Sequence, residues 1–236
     1  MTKHLKRAKI GKTLNFTDMN LSNKVFESSR VYDTLSDRVF YLILGIMVII
    51  GLAVMGYAAQ YAVQNQLVFT KWEIVLVGLV IPIIGILISL NSDNPLLSFI
   101  GYMMVAIPEG LVLGPVFVKY GTDLVMRAAW LTGGITLLMT MAAFIQPSFF
   151  AKLGGALFTA LICLLVIRLI QMFVPALQEL KLIDYCSAGI FSLYIGYDMY
   201  RAQNIDRTVD NAIDVAVALY LDILNLFLSI LSSSKK

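Results

Sequence analysis

The sequence predicts an all-α integral membrane protein, built as a bundle of seven transmembrane helices. Of its 236 residues, 59% are hydrophobic and only 14% are charged, whereas soluble domains carry about a quarter charged residues. The apolar residues also form blocks separated by short polar breaks. Each block has a length of about twenty residues, which is what a helix needs to cross a bilayer core of about 30 Å.

Seven such blocks follow a polar, basic N-terminal segment. The predicted spans cover residues 39–60, 72–90, 96–118, 124–145, 150–174, 182–201 and 212–232. The chain therefore divides into a basic tail (1–38), a transmembrane domain (39–232) and a short C-terminal tail (233–236). The first apolar block starts too late and is too long for a cleavable signal peptide.

The distribution of basic residues predicts a cytoplasmic N-terminus. With that orientation, eleven Lys and Arg residues lie on the inner side and six on the outer side, while Arg168 lies within the fifth span. An excess of basic residues marks the cytoplasmic side. Seven crossings then place the C-terminus outside, which the terminal sequence SSSKK fits poorly, so a re-entrant last segment is an alternative.

Cysteine and histidine usage argues against metal and disulfide frameworks. Cys163 and Cys186 have no metal-like spacing, and the single histidine, His4, lies in the tail. Any proton-sensitive group within the membrane must therefore be a carboxylate. We expect no cofactor and no nucleic-acid partner. Gly110 and Gly114 form a GxxxG pattern, which indicates close helix packing.

Two carboxylic acids interrupt the last two apolar blocks. Asp198 lies in FSLYIGYDMY and Asp222 in ALYLDILNLFLSIL. A short connector makes these helices antiparallel neighbours, and a tilt could remove an offset of about 8 Å between the two acids. Desolvation and repulsion would make such a pair share one proton. Ionised, it would offer oxygen ligands to a cation such as Ca²⁺. The alternative is a structural hydrogen bond that staples the helices together.

Two other ionisable residues lie in predicted spans. Glu109, in VAIPEGLVLGP, is either a protonated structural group or a candidate for lining an ion path. Arg168 lies near the end of the fifth span, and we interpret it as reaching toward the lipid headgroups.

The segments around the two acids closely resemble the signature of the Bax inhibitor-1 (transmembrane Bax inhibitor motif) family. EGLVLGP resembles that family's third span, and the seven-span layout agrees. The resemblance implies a bundle whose last helix is central and wrapped by the other six. It further implies a pH-sensitive cation leak, chiefly for Ca²⁺, with Asp198 and Asp222 as the sensor. The simple loops resemble those of bacterial members, which implies a multi-pass protein of the plasma membrane.

The sequence departs from that family between the second and third spans. Similar bacterial proteins can carry a basic residue there that pairs with the aspartates, whereas this stretch reads SLNSDNPLLS. Arg201 and Arg207 are the candidate basic partners in its place.

Two other classes of function compete with a leak. A membrane interaction protein that modulates a partner, such as a membrane-bound protease, would use the polar tail for docking. An intramembrane aspartyl protease would also need two acids on adjacent helices, but the Gly-x-Gly-Asp context of that chemistry is not present around Asp222. We therefore expect the protein not to be an enzyme.

Overall fold

The computed structural model describes residues 34–174, 177 and 180–234, and its regular structure in this part of the chain is entirely helical. The long helices are α1 (Asp37–Gln64), α2 (Lys71–Leu90), α3 (Pro95–Tyr120), α4 (Thr122–Ile145), α5 (Gly154–Phe173), α6 (Lys181–Gln203) and α7 (Val209–Ser233). A short helix, Pro147–Ala151, lies between α4 and α5, and α2 contains a wide π-helical segment, Leu76–Val80.

The predicted membrane character is confirmed. Within the described residues, six helices are long and apolar enough to cross a membrane, namely all the long helices except α6. Apolar side chains such as Ile49, Trp130 and Leu137 are exposed on the outside of the bundle, where lipid would cover them. Helix α6 has 23 residues, which is long enough to span, but it is more polar. The count of seven crossings therefore stays a prediction.

The ends of the helices differ slightly from the predicted spans. Helix α1 begins at Asp37 because the side chain of Ser36 caps it by accepting a hydrogen bond from the backbone N–H of Val39. The fifth span was predicted to begin at residue 150, but Pro147–Ala151 forms a separate helix and α5 begins at Gly154. The predicted tail lies outside the described residues up to position 33, and Lys235 and Lys236 also lie outside them.

The last helix occupies the centre of the bundle, as predicted. Two thirds (67%) of the most apolar window of α7 is buried, against 44% for α3 and 17% for each of the other candidate spans. It packs against α1, α2, α3, α4 and α6. A polar side chain on α7 is therefore enclosed by protein rather than by lipid.

Small residues bring α3 close to α1. A Cβ atom added at Gly110 would lie 2.3 Å from the backbone oxygen of Met55, and one added at Gly114 would lie 2.5 Å from that of Ala59. These distances are too short for any side chain, so the GxxxG pattern is explained by backbone contact between the two helices.

Candidate functional site

The connector between α6 and α7, residues 204–208, is held in place by Arg207. Its guanidinium donates hydrogen bonds to the backbone oxygens of Ala202 (2.6 Å), Ile205 (2.8 Å) and Gln203 (3.0 Å). Its Nε also donates to Oδ1 of Asp37 at 2.9 Å. Arg207 thus ties the connector to the start of α1, and the structure gives it these partners rather than the two acids. We call this end of the bundle the connector end and the opposite end the far end.

The two acids of the last helices lie against each other. Asp198 is 5% exposed and Asp222 is 7% exposed, and their carboxyl groups are within hydrogen-bonding range of each other. Oδ2 of Asp222 is buried and accepts no hydrogen bond from a donor in the described part of the chain. A proton carried by one of the two acids would supply that donor.

An arginine from the same helix reaches the pair. Nη1 of Arg201 lies 3.1 Å from Oδ1 of Asp198, one helical turn away, and the Arg201 side chain is 52% exposed. Arg201 is therefore the basic residue that approaches the acids, whereas the loop between α2 and α3 carries no Lys or Arg. The position of the cation makes the pair asymmetric, because Arg201 bonds directly to Asp198.

A cavity of about 270 Å³ opens beside this pair at the connector end, and its lining includes Asp198, Arg201 and Asp214. The hydroxyl of Ser89 donates a short hydrogen bond to Oδ1 of Asp214. The cavity is large enough to hold several water molecules. It therefore gives Asp198 access to a space that reaches the connector end.

A further acid follows on the first turn of α7. The hydroxyl of Ser98 donates to Oδ1 of Asp210 at 2.6 Å, and Asp210 is 8% exposed. Neither Asp210 nor Asp214 was predicted as a site residue. The signal that could have identified Asp214 is its spacing of eight residues from Asp222, which puts both on one face of a helix.

Glu109 lies away from the acid pair. It is half-buried on α3 and does not line the cavity beside Asp198. The part of α7 nearest to α3 includes Tyr220, which lies on another side of α7 from Asp222 since the two are only two residues apart in a helix. The ring of Tyr220 packs edge-on against Tyr102 at 5.5 Å, and the Tyr102 hydroxyl donates to the backbone oxygen of Met47 at 3.1 Å. Glu109 is thus separate from the site formed by Asp198, Asp222 and Arg201.

The donor set does not fit a resident metal ion. A stable Ca²⁺ site takes six to eight oxygen ligands. The described residues contain no group of three or more His, Cys, Asp or Glu side chains placed to hold an ion. Asp198 and Asp222 alone supply up to four carboxylate oxygens, one of which already contacts Arg201.

Comparison with known proteins places most of the chain in one family. A family model described as "Inhibitor of apoptosis-promoting Bax1" matches residues 34–234. The chain is 41% identical over 121 residues to an uncharacterised protein of Helicobacter pylori, a match that covers 51% of each chain. The chain thus spans about half the length of this relative.

Two further relatives carry descriptive names. The inner membrane protein YbhL of Escherichia coli is 26% identical over 188 residues, which cover 74% of this chain and 80% of YbhL. Bax inhibitor 1 of Schizosaccharomyces pombe is 32% identical over 126 residues, which cover 52% of this chain and 46% of the yeast protein.

Proposed function

Because this chain belongs to the Bax inhibitor-1 family and buries two acids against each other beside a cavity that Asp198, Arg201 and Asp214 help to line, we propose that it is a pH-sensitive cation leak. Its chief cargo is Ca²⁺, and Asp198 and Asp222 form the gate. The observation that carries this proposal is the contact between the two buried carboxyl groups.

The gate works through a shared proton. Two ionised carboxylates in contact repel strongly where little water is present. One proton between them converts that repulsion into a hydrogen bond that holds α6 to α7. Loss of the proton to the cavity leaves two negative charges, which must separate or attract a cation. Proton concentration therefore selects between two arrangements of the last two helices.

Arg201 acts as the basic partner of this gate. Its guanidinium favours the ionised form of Asp198, and its half-exposed side chain is free to leave when the acid is neutral. Since Arg201 and Asp198 belong to the same helix, the ion pair adjusts the gate without tying α6 to another helix.

The cation is a substrate in transit and not a resident cofactor. Carboxylate oxygens are the ligands that Ca²⁺ prefers, but a path that bound it with a full set of ligands would release it slowly. A pair of acids offers an intermediate affinity. We propose no catalytic step for these residues.

The chain is a multi-pass membrane protein, and its Escherichia coli relative is an inner membrane protein. We place the protein in the plasma membrane with its N-terminus in the cytoplasm, in accordance with the excess of basic residues on that side. The connector end, with Arg201 and Arg207, would then face the cytoplasm.

Ca²⁺ flux into liposomes containing the purified protein and an encapsulated calcium dye tests the proposal. We expect a leak whose rate changes with pH, and we expect the double substitution Asp198→Asn with Asp222→Asn to remove the pH dependence. Asp93→Asn is the matched control, because it makes the same chemical change at an exposed acid. Flux that keeps its pH dependence in the double variant would contradict the gate.

A second arm separates the leak from a docking function. Deletion of residues 1–30 should leave the leak intact, since the gate lies in α6 and α7. Absence of flux from the full-length protein at every pH would refute the leak and leave the membrane interaction protein as the better explanation.

A further inference from the structure

Polar side chains form a stripe along the whole of α7. They recur at intervals of three or four residues, apart from one interval of eight residues, which places them on one face of the helix. The stripe consists of Asn211, Asp214, Asp222, Asn225, Ser229 and Ser232, and Ala218 occupies the position between the two acids. Ionisable side chains within a membrane bundle mark functional sites by default, so we do not attribute this stripe to packing alone.

This stripe joins two cavities. The cavity of about 270 Å³ at the connector end is lined by Asn211 and Asp214. A second cavity, of about 350 Å³, is lined by Asn225, Ser229 and Ser232. Asp222 lies between these two sets along α7. The acid pair therefore lies between two cavities of mixed apolar and polar lining, and the stripe of α7 supplies part of the polar lining of each.

The second cavity, which we call the far cavity, lies beside an ion pair between α5 and α6. Nη1 of Arg168, which lines this cavity, lies 2.8 Å from Oδ1 of Asp184, and the Arg168 side chain is 35% exposed. Asp184 is 4% exposed, and its Oδ2 accepts a hydrogen bond of 2.7 Å from Ser232 on α7. The carboxylate of Asp184 thus connects α5, α6 and α7. Arg168 also donates a hydrogen bond to Gln171 on its own helix.

We propose that the Arg168–Asp184 ion pair is a second gate, in series with the acid pair, at the far end of a cation path along the polar stripe of α7. This inference rests on the proposed leak. The guanidinium places a positive charge in the cavity that a cation must cross, and it neutralises the carboxylate that could otherwise bind that cation. Opening requires the arginine to leave Asp184.

Two substitutions break the pair from opposite sides, and one preserves its charge. At a fixed pH, Arg168→Gln should raise the Ca²⁺ flux into liposomes about fivefold, the factor that corresponds to a partly exposed ion pair of about 1 kcal/mol. Asp184→Asn releases the arginine but keeps its positive charge, so it should raise the flux by less than Arg168→Gln does. Arg168→Lys keeps the positive charge and should leave the flux near that of the unaltered protein. A thermal unfolding measurement in detergent confirms that each variant is folded.

A labelling experiment distinguishes a gate from a merely structural contact. In a protein with Cys163 and Cys186 replaced by alanine, Ser229→Cys places a thiol in the far cavity. A membrane-impermeant cationic thiol reagent should label this cysteine faster when Arg168→Gln is added. A purely structural ion pair would not change the labelling rate in a variant that remains folded.

The outcomes separate this inference from the proposed function. If the flux depends on pH but both pair-breaking variants have the same flux and labelling rate as the unaltered protein, the second gate is overturned and the acid pair remains the gate. A complete absence of flux in the unaltered protein would instead refute the leak itself. Raised flux and faster labelling in the folded variants would support the second gate.

Discussion

Replacement of Arg201 by glutamine should shift the pH at which the leak changes, and the direction follows from the charge. The guanidinium lies 3.1 Å from Oδ1 of Asp198, and a nearby positive charge favours the ionised carboxylate. Without that charge a lower proton concentration suffices to keep the acid pair protonated. The pH midpoint of the leak should therefore rise in Arg201→Gln.

The size of the shift follows from the exposure of the two partners. The Asp198 side chain is 7% exposed, but that of Arg201 is 52% exposed, so water and salt screen much of the attraction. Partly exposed ion pairs contribute about 0.5–1 kcal/mol. Since one pH unit corresponds to about 1.4 kcal/mol, we expect an upward shift of about 0.4–0.7 pH units.

The assay is Ca²⁺ flux into liposomes across a pH series, at low and at high ionic strength. Arg201→Lys serves as the control. It keeps the positive charge, so its pH midpoint should stay close to that of the unaltered protein. Salt screens the ion pair, so the difference between Arg201→Gln and the unaltered protein should shrink at high ionic strength. A midpoint that falls, or that stays in place at low ionic strength, would refute the assignment of Arg201 to the gate.

Two further predictions concern the cavity and the packing of the bundle. Asp214→Asn removes a negative charge from the cavity at the connector end. Because such a charge concentrates cations locally, the Ca²⁺ flux should fall about two- to fivefold at low salt, and a change of pH should restore little of it. An unchanged flux would exclude Asp214 from the path. Gly110→Ala places a Cβ atom 2.3 Å from the backbone oxygen of Met55 and should destabilise the protein by about 1–3 kcal/mol in thermal unfolding, whereas the control Gly134→Ala meets nothing within 4 Å and should not.

The helices were predictable from the sequence because hydrophobic burial is read from a single segment. A block of about twenty apolar residues must be satisfied by lipid whatever its neighbours are, so the spans agreed with the helices to within a few residues. The main error, at the start of α5, arose because hydropathy does not detect the helix break between Ala151 and Gly154. Composition changes little across that break.

The contact between Asp198 and Asp222 was accessible from the sequence for a different reason. Both acids are too costly to leave in lipid, and a short connector leaves few helices that could pair them. The ion pair of Arg168 with Asp184 was not accessible, because it joins α5 to α6 across a segment whose length does not fix the rotation of either helix. Hydropathy gives each helix an apolar face but not the angle at which it meets its neighbour.

The polarity of α6 is itself an argument about function. It is the one long helix in the described part of the chain that is not apolar enough to count as a span, and its polar residues include Asp184, Ser187 and Asp198. Each of these side chains contacts α7. Asp184 accepts a hydrogen bond from Ser232. The hydroxyl oxygens of Ser187 and Ser229 are 2.6 Å apart, and Asp198 lies against Asp222. These contacts follow one another in antiparallel order along the two helices, so α6 follows α7 from one end of the bundle to the other.

A membrane crossed by α7 would therefore be crossed by α6 as well, which favours the predicted seventh crossing. The helix would tolerate lipid only while α7 and Arg168 satisfy its polar groups. Any rotation or separation of α6 exposes acids that must then find water or a cation. A helix that depends in this way on polar contacts near both of its ends is the element that, in the proposed gate, a change in protonation would move first.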